Sequence, residues 1–199
     1  MLKNGVNDRR VAKTRGSLHA ALASLIHEKS YDNIVVKEIL ARANVGRSTF
    51  YTHFRDKDDL LDSSIRDVLG DAVLPASRTW ASERLLQFSL PVLEHIEQYR
   101  ATGGPMMDAR AQAVLHQRLE RELVRLIADE LERWTQRQTV SGHEVPTDLL
   151  AQFVASTFIV VLNWWLASDC QLAATEVNEV FRALILPTVK ANLVELGRA

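Results

Sequence analysis

The chain has 199 residues, 47% of them hydrophobic, which predicts one compact unit with two sub-regions rather than two independent domains. Its formal net charge of −1 conceals an asymmetry, because ten basic and four acidic residues give residues 1–55 a charge of +6 and leave −7 for the remainder. This distribution is typical of a nucleic-acid-binding domain joined to a module that need not touch DNA.

Several functional classes are disfavoured by what the sequence lacks. The longest apolar run, residues 153–166, is shorter than the roughly 20 residues of a membrane span, and the N-terminus lacks the apolar core of a secretory signal. We therefore expect a cytoplasmic protein that has no membrane partner. The single cysteine, Cys170, fits either a small buried residue or a redox-sensing thiol. Because the sequence carries no catalytic motif or metal-ligand spacing, we expect no enzyme, metal or cofactor.

The first predicted helix extends from about Arg9 to Glu28. Its apolar residues recur at positions 0, 3, 4, 7 and 8, which places them on one buried face: Leu18, Ala21, Leu22, Leu25 and Ile26. Basic residues cluster at its start and form a predicted N-terminal arm along DNA phosphates or in a minor groove: Lys3, Arg9, Arg10 and Lys13.

A second and a third predicted helix enclose a sharp turn. In the second helix, Val36, Ile39, Leu40 and Ala43 share one face. Asn44 follows, and this residue type tolerates the left-handed backbone that such a turn needs. The third helix is short, from about Arg47 to Phe54, and the pattern as a whole is that of a helix-turn-helix.

The third helix is predicted to present a DNA-contacting face. Phe50 and Phe54 are four residues apart and point into the domain. The other face is polar and aromatic and suits hydrogen bonds to bases and phosphates: Arg47, Ser48, Thr49, Tyr51 and His53. Lys37 on the preceding helix adds a further candidate DNA contact.

The run from Thr14 to Leu61 resembles the N-terminal domain of the tetracycline repressor (TetR) family of bacterial transcription regulators. The resemblance extends in register without a gap over Thr14-Arg15, Leu18, Ala21, Leu25, Tyr31, Val35, Ile39, Ala41, Ala43, Val45, Ser48-Thr49-Phe50-Tyr51, His53-Phe54, Lys57 and Leu60-Leu61. Two positions depart from the family pattern: Asn44 replaces a common Gly, and Gly46 stands where a capping Ser is frequent.

The resemblance implies an all-α fold, with a three-helix DNA-binding domain over residues 1–56 and a helical ligand-binding and dimerisation bundle over residues 57–199. It further implies a homodimeric repressor that a small apolar or amphipathic effector releases from a palindromic operator of double-stranded DNA. A TetR-like coregulator controlled by protein partners stays open as the alternative, because fold does not fix function. A fourth helix is predicted to begin near Lys57, capped by Asp56, and Lys57 is predicted to contact phosphate.

The rest of the chain has a helical pattern. We predict helices over about Ser82 to Arg100, started late or kinked by Pro91, and over Met106 to Gln138, Thr147 to Ala167 and Thr175 to Leu196. By the resemblance, the last two form the dimer interface through Phe158, Val161, Leu162, Phe181, Leu184, Ile185 and Val189, and the alternative for about half of these residues is a place in the core of the monomer. A predicted apolar effector pocket draws on Trp134, Trp164, Trp165, Tyr99, Phe88, Met106, Met107 and Phe153.

Overall fold

The computed structural model describes residues 4–72, 85–101, 109–135, 145–167 and 171–194, and in these segments the chain is helical without β-strands. The helices are α1 (Asn4–Glu28), α2 (Val36–Ala43), α3 (Arg47–His53), α4 (Lys57–Ala72), α5 (Ser89–Ala101), α6 (Ala109–Thr135), α7 (Thr147–Ala167) and α8 (Ala174–Val194). A short 3₁₀ turn, Tyr31–Asn33, follows α1. The predicted all-α fold is confirmed.

Two compact units divide the chain. The N-terminal unit comprises residues 1–66 and 104–116, and the C-terminal unit comprises residues 67–103 and 117–199. The predicted division between residues 56 and 57 into a DNA-binding and a ligand-binding domain stays a prediction.

The N-terminal unit is built around the helix-turn-helix. Helix α1 packs on α2, and α2 packs on α3. Asn44 ends α2 with φ 52°, the left-handed conformation that the sequence predicts for the turn. The predicted buried face of α1 is confirmed, since each of its five apolar residues is at most 7% exposed. Phe50 and Phe54 are buried as predicted.

In the C-terminal unit, α8 packs against both α5 and α7. Three fully buried aromatic rings, one from each of these helices or its leading turn, join them: Phe88, Phe158 and Phe181. The ring centroids of Phe158 and Phe181 lie 5.2 Å apart, and those of Phe88 and Phe158 are also 5.2 Å apart, both in edge-to-face arrangements. Such pairs stabilise a core beyond the burial of their area alone.

Several helix ends differ from the predicted ones. Helix α1 begins at Asn4, five residues before the predicted start. Helix α5 begins only at Ser89, which puts Pro91 in the first turn, where the missing N–H costs no intrahelical hydrogen bond. Helix α7 has the predicted bounds. Helix α8 contains Pro187 and spans Ala174 to Val194.

By length and composition alone, α7 could cross a membrane. However, 44% of its most apolar window is buried, and the helix packs against α8. The core helix of a soluble protein satisfies the same criterion, so the test gives only weak evidence for a membrane span.

Candidate nucleic-acid interface

The geometry of α3 follows from the turn that precedes it. Gly46 occupies the N-cap in an extended conformation and has no side chain with which to cap the helix. The backbone N–H of Phe54 donates to the Phe50 carbonyl at 2.9 Å and closes the helix. Arg47, Ser48, Thr49 and Tyr51 are exposed, and His53 is half-buried. The predicted outward face therefore stands in solvent around a buried Phe50 and Phe54.

Two side chains of this face, Arg47 and Tyr51, contact each other. The Arg47 guanidinium lies over the ring of Tyr51, with its central carbon 5.7 Å from the ring centroid. The Tyr51 ring in turn meets the buried Phe50 ring edge to face, with centroids 5.2 Å apart. The Thr52 hydroxyl donates to the Ser48 carbonyl at 2.9 Å. The exposed end of α3 is thus connected to the core by ring contacts.

Further exposed cations lie on the neighbouring helices. Arg9, Arg10 and Lys13 are exposed on α1, in the helix that the sequence predicts for them, and their contact with DNA stays a prediction. Lys3 of the predicted arm lies outside the described residues. Lys37 is exposed on α2.

Two other basic residues are engaged in ion pairs along an open groove between α1 and α2. Arg42 forms a two-pronged contact with the Glu28 carboxylate, with 2.8 Å between Nη2 and Oε2, and Lys29 Nζ lies 2.5 Å from Glu38 Oε1. The hydrogen bond from Arg42 holds the pKa of Glu28 below 4.5, and the one from Lys29 does the same for the pKa of Glu38. Leu25 and Ala41 complete the lining of this groove. These pairs reduce the positive charge that the groove side contributes to DNA binding.

Lys57 has an intramolecular role that the sequence did not indicate. Its ammonium donates to the carbonyls of Tyr31, Asp32 and Ile34 at 2.8, 3.2 and 2.9 Å. It also lies 4.6 Å from the centroid of the Tyr31 ring. A lysine with three carbonyl acceptors has its three donors occupied. The structure thus places Lys57 as a cap on the 3₁₀ turn, and the predicted phosphate contact is untested.

The predicted cap of α4 is confirmed, because Asp56 accepts from the Asp59 N–H at 2.8 Å.

Two residues of the same 3₁₀ turn make further polar contacts, and a third long-range contact lies outside the turn. The Tyr31 hydroxyl donates to Asp58 at 2.5 Å, and Arg110 Nη2 lies 2.6 Å from Asp32 Oδ2. Arg15 donates to the buried Ser63 hydroxyl at 2.8 Å. The partners are 27, 78 and 48 residues apart in sequence. No local spacing signals such pairs, so sequence reasoning missed them.

The helix-turn-helix with its exposed polar face agrees with the comparison against known families. The model of the family described as "Bacterial regulatory proteins, tetR family" matches residues 18–63, and that described as "Transcriptional regulator C-terminal region" matches residues 83–186. The chain belongs to the TetR family. It is a transcription regulator with a DNA-binding domain, and members of this family are soluble DNA-binding proteins.

Individual relatives agree with this assignment. An uncharacterized HTH-type transcriptional regulator of Bacillus subtilis, YxbF, is 38% identical over 60 residues, which are 30% of this chain and only 16% of that protein. The crystal structure of a TetR transcriptional regulator from Streptococcus agalactiae is 26% identical and superposes with a TM-score of 0.52, over 90% of this chain and 97% of that one. RolR in complex with resorcinol is 23% identical with a TM-score of 0.52, over 94% and 93% of the two chains.

The candidate pocket residues that the structure describes differ in burial, and their role as a pocket stays a prediction. Phe88 and Trp165 are buried, and the Trp165 indole donates to the Leu172 carbonyl at 3.0 Å. Burial raises the pKa of Tyr99. Phe153 and Trp164 are each 45% exposed, so neither lines an enclosed cavity in the protomer. Met106 and Met107, and the side chain of Trp134, lie outside the described residues.

Most of the predicted dimer residues are core positions of the protomer, which is the alternative that the sequence leaves open for them. Six of the seven are at most 4% exposed in the protomer, where they form its core: Phe158, Val161, Leu162, Phe181, Ile185 and Val189. The seventh, Leu184, is 56% exposed. The large exposed apolar side chains of α7 and α8 form a set that shares only Leu184 with the prediction: Leu149, Phe153, Val160, Trp164, Val180 and Leu184. We call this set the apolar stripe. Both sides of these helices are apolar, so periodicity did not tell the two faces apart.

Proposed function

We propose that this regulator binds a palindromic operator as a homodimer, represses transcription there, and is released by a small apolar or amphipathic effector. The observation that carries the DNA-binding part is the outer face of α3, where Arg47, Ser48, Thr49 and Tyr51 are exposed to solvent. Their donors and acceptors suit base edges and phosphates, and exposed cations on α1 and α2 add the electrostatic attraction that a phosphate backbone requires.

Dimerisation is supported by the apolar stripe. Its members on α7 are spaced 0, 4, 11 and 15 and therefore share a face, and Val180 and Leu184 are four apart on α8. Large exposed apolar side chains that share a helix face, on two helices that pack together, are typical of an association surface. A dimer that binds a palindrome presents one α3 from each protomer to successive major grooves, about 34 to 36 Å apart.

Effector control is supported by the family and by the aromatic content of the C-terminal unit. RolR, which shares the fold, was crystallised with resorcinol, and an aromatic effector would be compatible with the aromatic side chains near α5 and α7. We expect the effector to favour a conformation that holds the two α3 helices off the groove spacing.

A coregulator controlled by a protein partner is the second candidate. The observation that favours it is the edge-to-face packing of Phe88, Phe158 and Phe181, whose rings fill the space between α5, α7 and α8. An interior filled by aromatic side chains leaves less room for a ligand at that place.

The test is to recover the genomic fragments that the protein retains from its own organism and to measure their affinity. We expect a palindromic sequence bound by two protomers, with affinity that falls as salt rises. Binding of one protomer without sequence preference would contradict the operator proposal. A screen of aromatic compounds on the bound duplex then separates the two candidates, because a coregulator would release no DNA with any of them.

A further inference from the structure

Tyr51 and Arg47 are four residues apart on α3, and they touch. The guanidinium carbon of Arg47 is 5.7 Å from the Tyr51 ring centroid, within the roughly 6 Å over which a cation is attracted to an aromatic face. The Tyr51 ring also contacts the ring of Phe50, which is fully buried, at an interplanar angle of 87°. A column of contacts therefore leads from the core through Tyr51 to Arg47.

The local structure of α3 gives no stabilising reason for an arginine at this position. Arg47 is the first residue of the helix, where the positive end of the helix dipole disfavours a cation. Gly46 before it supplies no side-chain cap. The Tyr51 ring offsets part of this unfavourable placement, and the charge is kept at the end of the helix that enters a groove.

Stacking also prepares the guanidinium for recognition. A free arginine side chain has many rotamers, and fixing them at the moment of binding costs conformational entropy. A guanidinium stacked on a ring has already lost part of that freedom. Its edge still presents N–H donors, in the fork geometry that matches the O6 and N7 acceptors of guanine.

We propose that Tyr51 is a positioning residue that acts through its ring, and that it presents Arg47 to a guanine edge in the major groove. The inference rests on the proposed function of α3 as the DNA-reading helix. It differs from the simpler role for Tyr51, a hydrogen bond from its hydroxyl to a phosphate, because the ring rather than the hydroxyl carries the effect.

The experiment uses the full-length protein and the highest-affinity duplex that the wild type selects from a random-sequence library. The variants are Arg47→Ala, Tyr51→Phe, Tyr51→Leu and the double variant Arg47→Ala/Tyr51→Leu. Arg55→Ala is the charge-matched control, since Arg55 lies two residues after α3, is 87% exposed and has its Nε 3.7 Å from Asp59 Oδ2. Each variant is measured on the duplex and on copies in which one guanine at a time is replaced by 7-deazaguanine, which lacks the N7 acceptor.

We expect Arg47→Ala to lower affinity roughly 10- to 100-fold and to abolish the sensitivity to one 7-deazaguanine. Tyr51→Leu should lower affinity roughly 3- to 30-fold and weaken the same sensitivity, whereas Tyr51→Phe keeps both. In the Arg47→Ala background, Tyr51→Leu should change affinity by less than about twofold, because the residue that it positions is gone. Arg55→Ala should reduce the salt dependence and leave the 7-deazaguanine effect intact.

The experiment distinguishes failure of the inference about Tyr51 from failure of the proposed reading face of α3. If Tyr51→Phe loses as much affinity as Tyr51→Leu, or if the two single effects add fully in the double variant, Tyr51 does not act through Arg47 and the inference is wrong. If Arg47→Ala binds like the wild type, the proposed reading face itself is wrong. Circular dichroism melts of all variants show that a loss of affinity is not a loss of fold, and Tyr51→Trp, which keeps an aromatic face, should restore binding if Tyr51→Leu is unstable.

Discussion

Helix α3 and the pair α7 and α8 all leave large side chains in solvent, but the chemistry that they expose is opposite. Tyr51 on α3 is 49% exposed and carries a hydroxyl, with the Arg47 charge above its ring. Val160 and Leu184 are 65% and 56% exposed and carry no polar atom in their side chains. The polar face suits a wet, charged surface such as DNA. The apolar face gains free energy only when a matching apolar surface covers it.

The two faces of α8 allow the sharpest test of this comparison. Phe181→Ala removes a fully buried ring that contacts Phe88 and Phe158, so we expect a loss of about 3 to 5 kcal/mol in the free energy of unfolding. Urea unfolding at a fixed protein concentration measures it. Glu179→Ala, at an exposed site of the same helix, is the control and should stay within about 0.5 kcal/mol of the wild type. A Phe181→Ala protein as stable as the control would mean that the aromatic cluster is not the core.

The outer face of α8 is tested by Leu184→Glu. A charge in the centre of an apolar association surface should cost about 2 kcal/mol or more of association free energy, so the variant should be monomeric where the wild type is dimeric. Sedimentation at micromolar concentration measures it. Gln117→Glu adds the same charge at an exposed position of α6 and should leave the dimer intact. A monomeric wild type would refute the dimer, and a dimeric Leu184→Glu protein would move the interface away from the apolar stripe.

In the N-terminal unit, the comparison is between two lysines. Lys57 donates to three carbonyls, whereas Lys37 is exposed. We expect Lys57→Met to lower stability by about 1 to 3 kcal/mol, since partly buried carbonyls lose a charged donor. Lys37→Met should leave the melting temperature unchanged and reduce the salt slope of DNA binding by about one contact. Thermal melts of both variants measure the change in stability, and salt titrations of DNA binding measure the change in salt slope. If Lys57→Met alters only the salt slope, Lys57 contacts phosphate and the capping role is secondary.

The smallest effect belongs to the ion pair of Glu28 with Arg42. The pKa of Glu28 is lowered by the hydrogen bond from Arg42, so the ionised carboxylate stabilises the folded state at pH values above 4.5, its unfolded value. This contribution is lost as the pH falls below 4.5 through the folded pKa. Glu28→Gln should therefore lower the melting temperature slightly at pH 7, less than Lys57→Met does, and by a smaller amount at pH 3. An equal difference at both pH values would show that charge pairing is not the cause.

Local patterns predicted the helix-turn-helix almost residue by residue. The left-handed Asn44, the inward Phe50 and Phe54 and the bounds of α7 all depend on interactions within about one or two helical turns. Turn chemistry and the 3.6-residue period act over that range, so the sequence contains them. The adjacent Trp164 and Trp165 follow the same rule, since neighbours on a helix point about 100° apart, and one is exposed while the other is buried.

Only the tertiary structure decided which face of α7 and α8 is the core and what Lys57 does. A helix that is apolar on both sides has no period that separates core from interface, so Phe158 and Leu184 look alike until the neighbouring helices are in place. Lys57 meets carbonyls more than 20 residues away in sequence, and Arg110 meets Asp32 across an even longer separation. Long side chains choose partners by distance in space, which the sequence by itself does not contain.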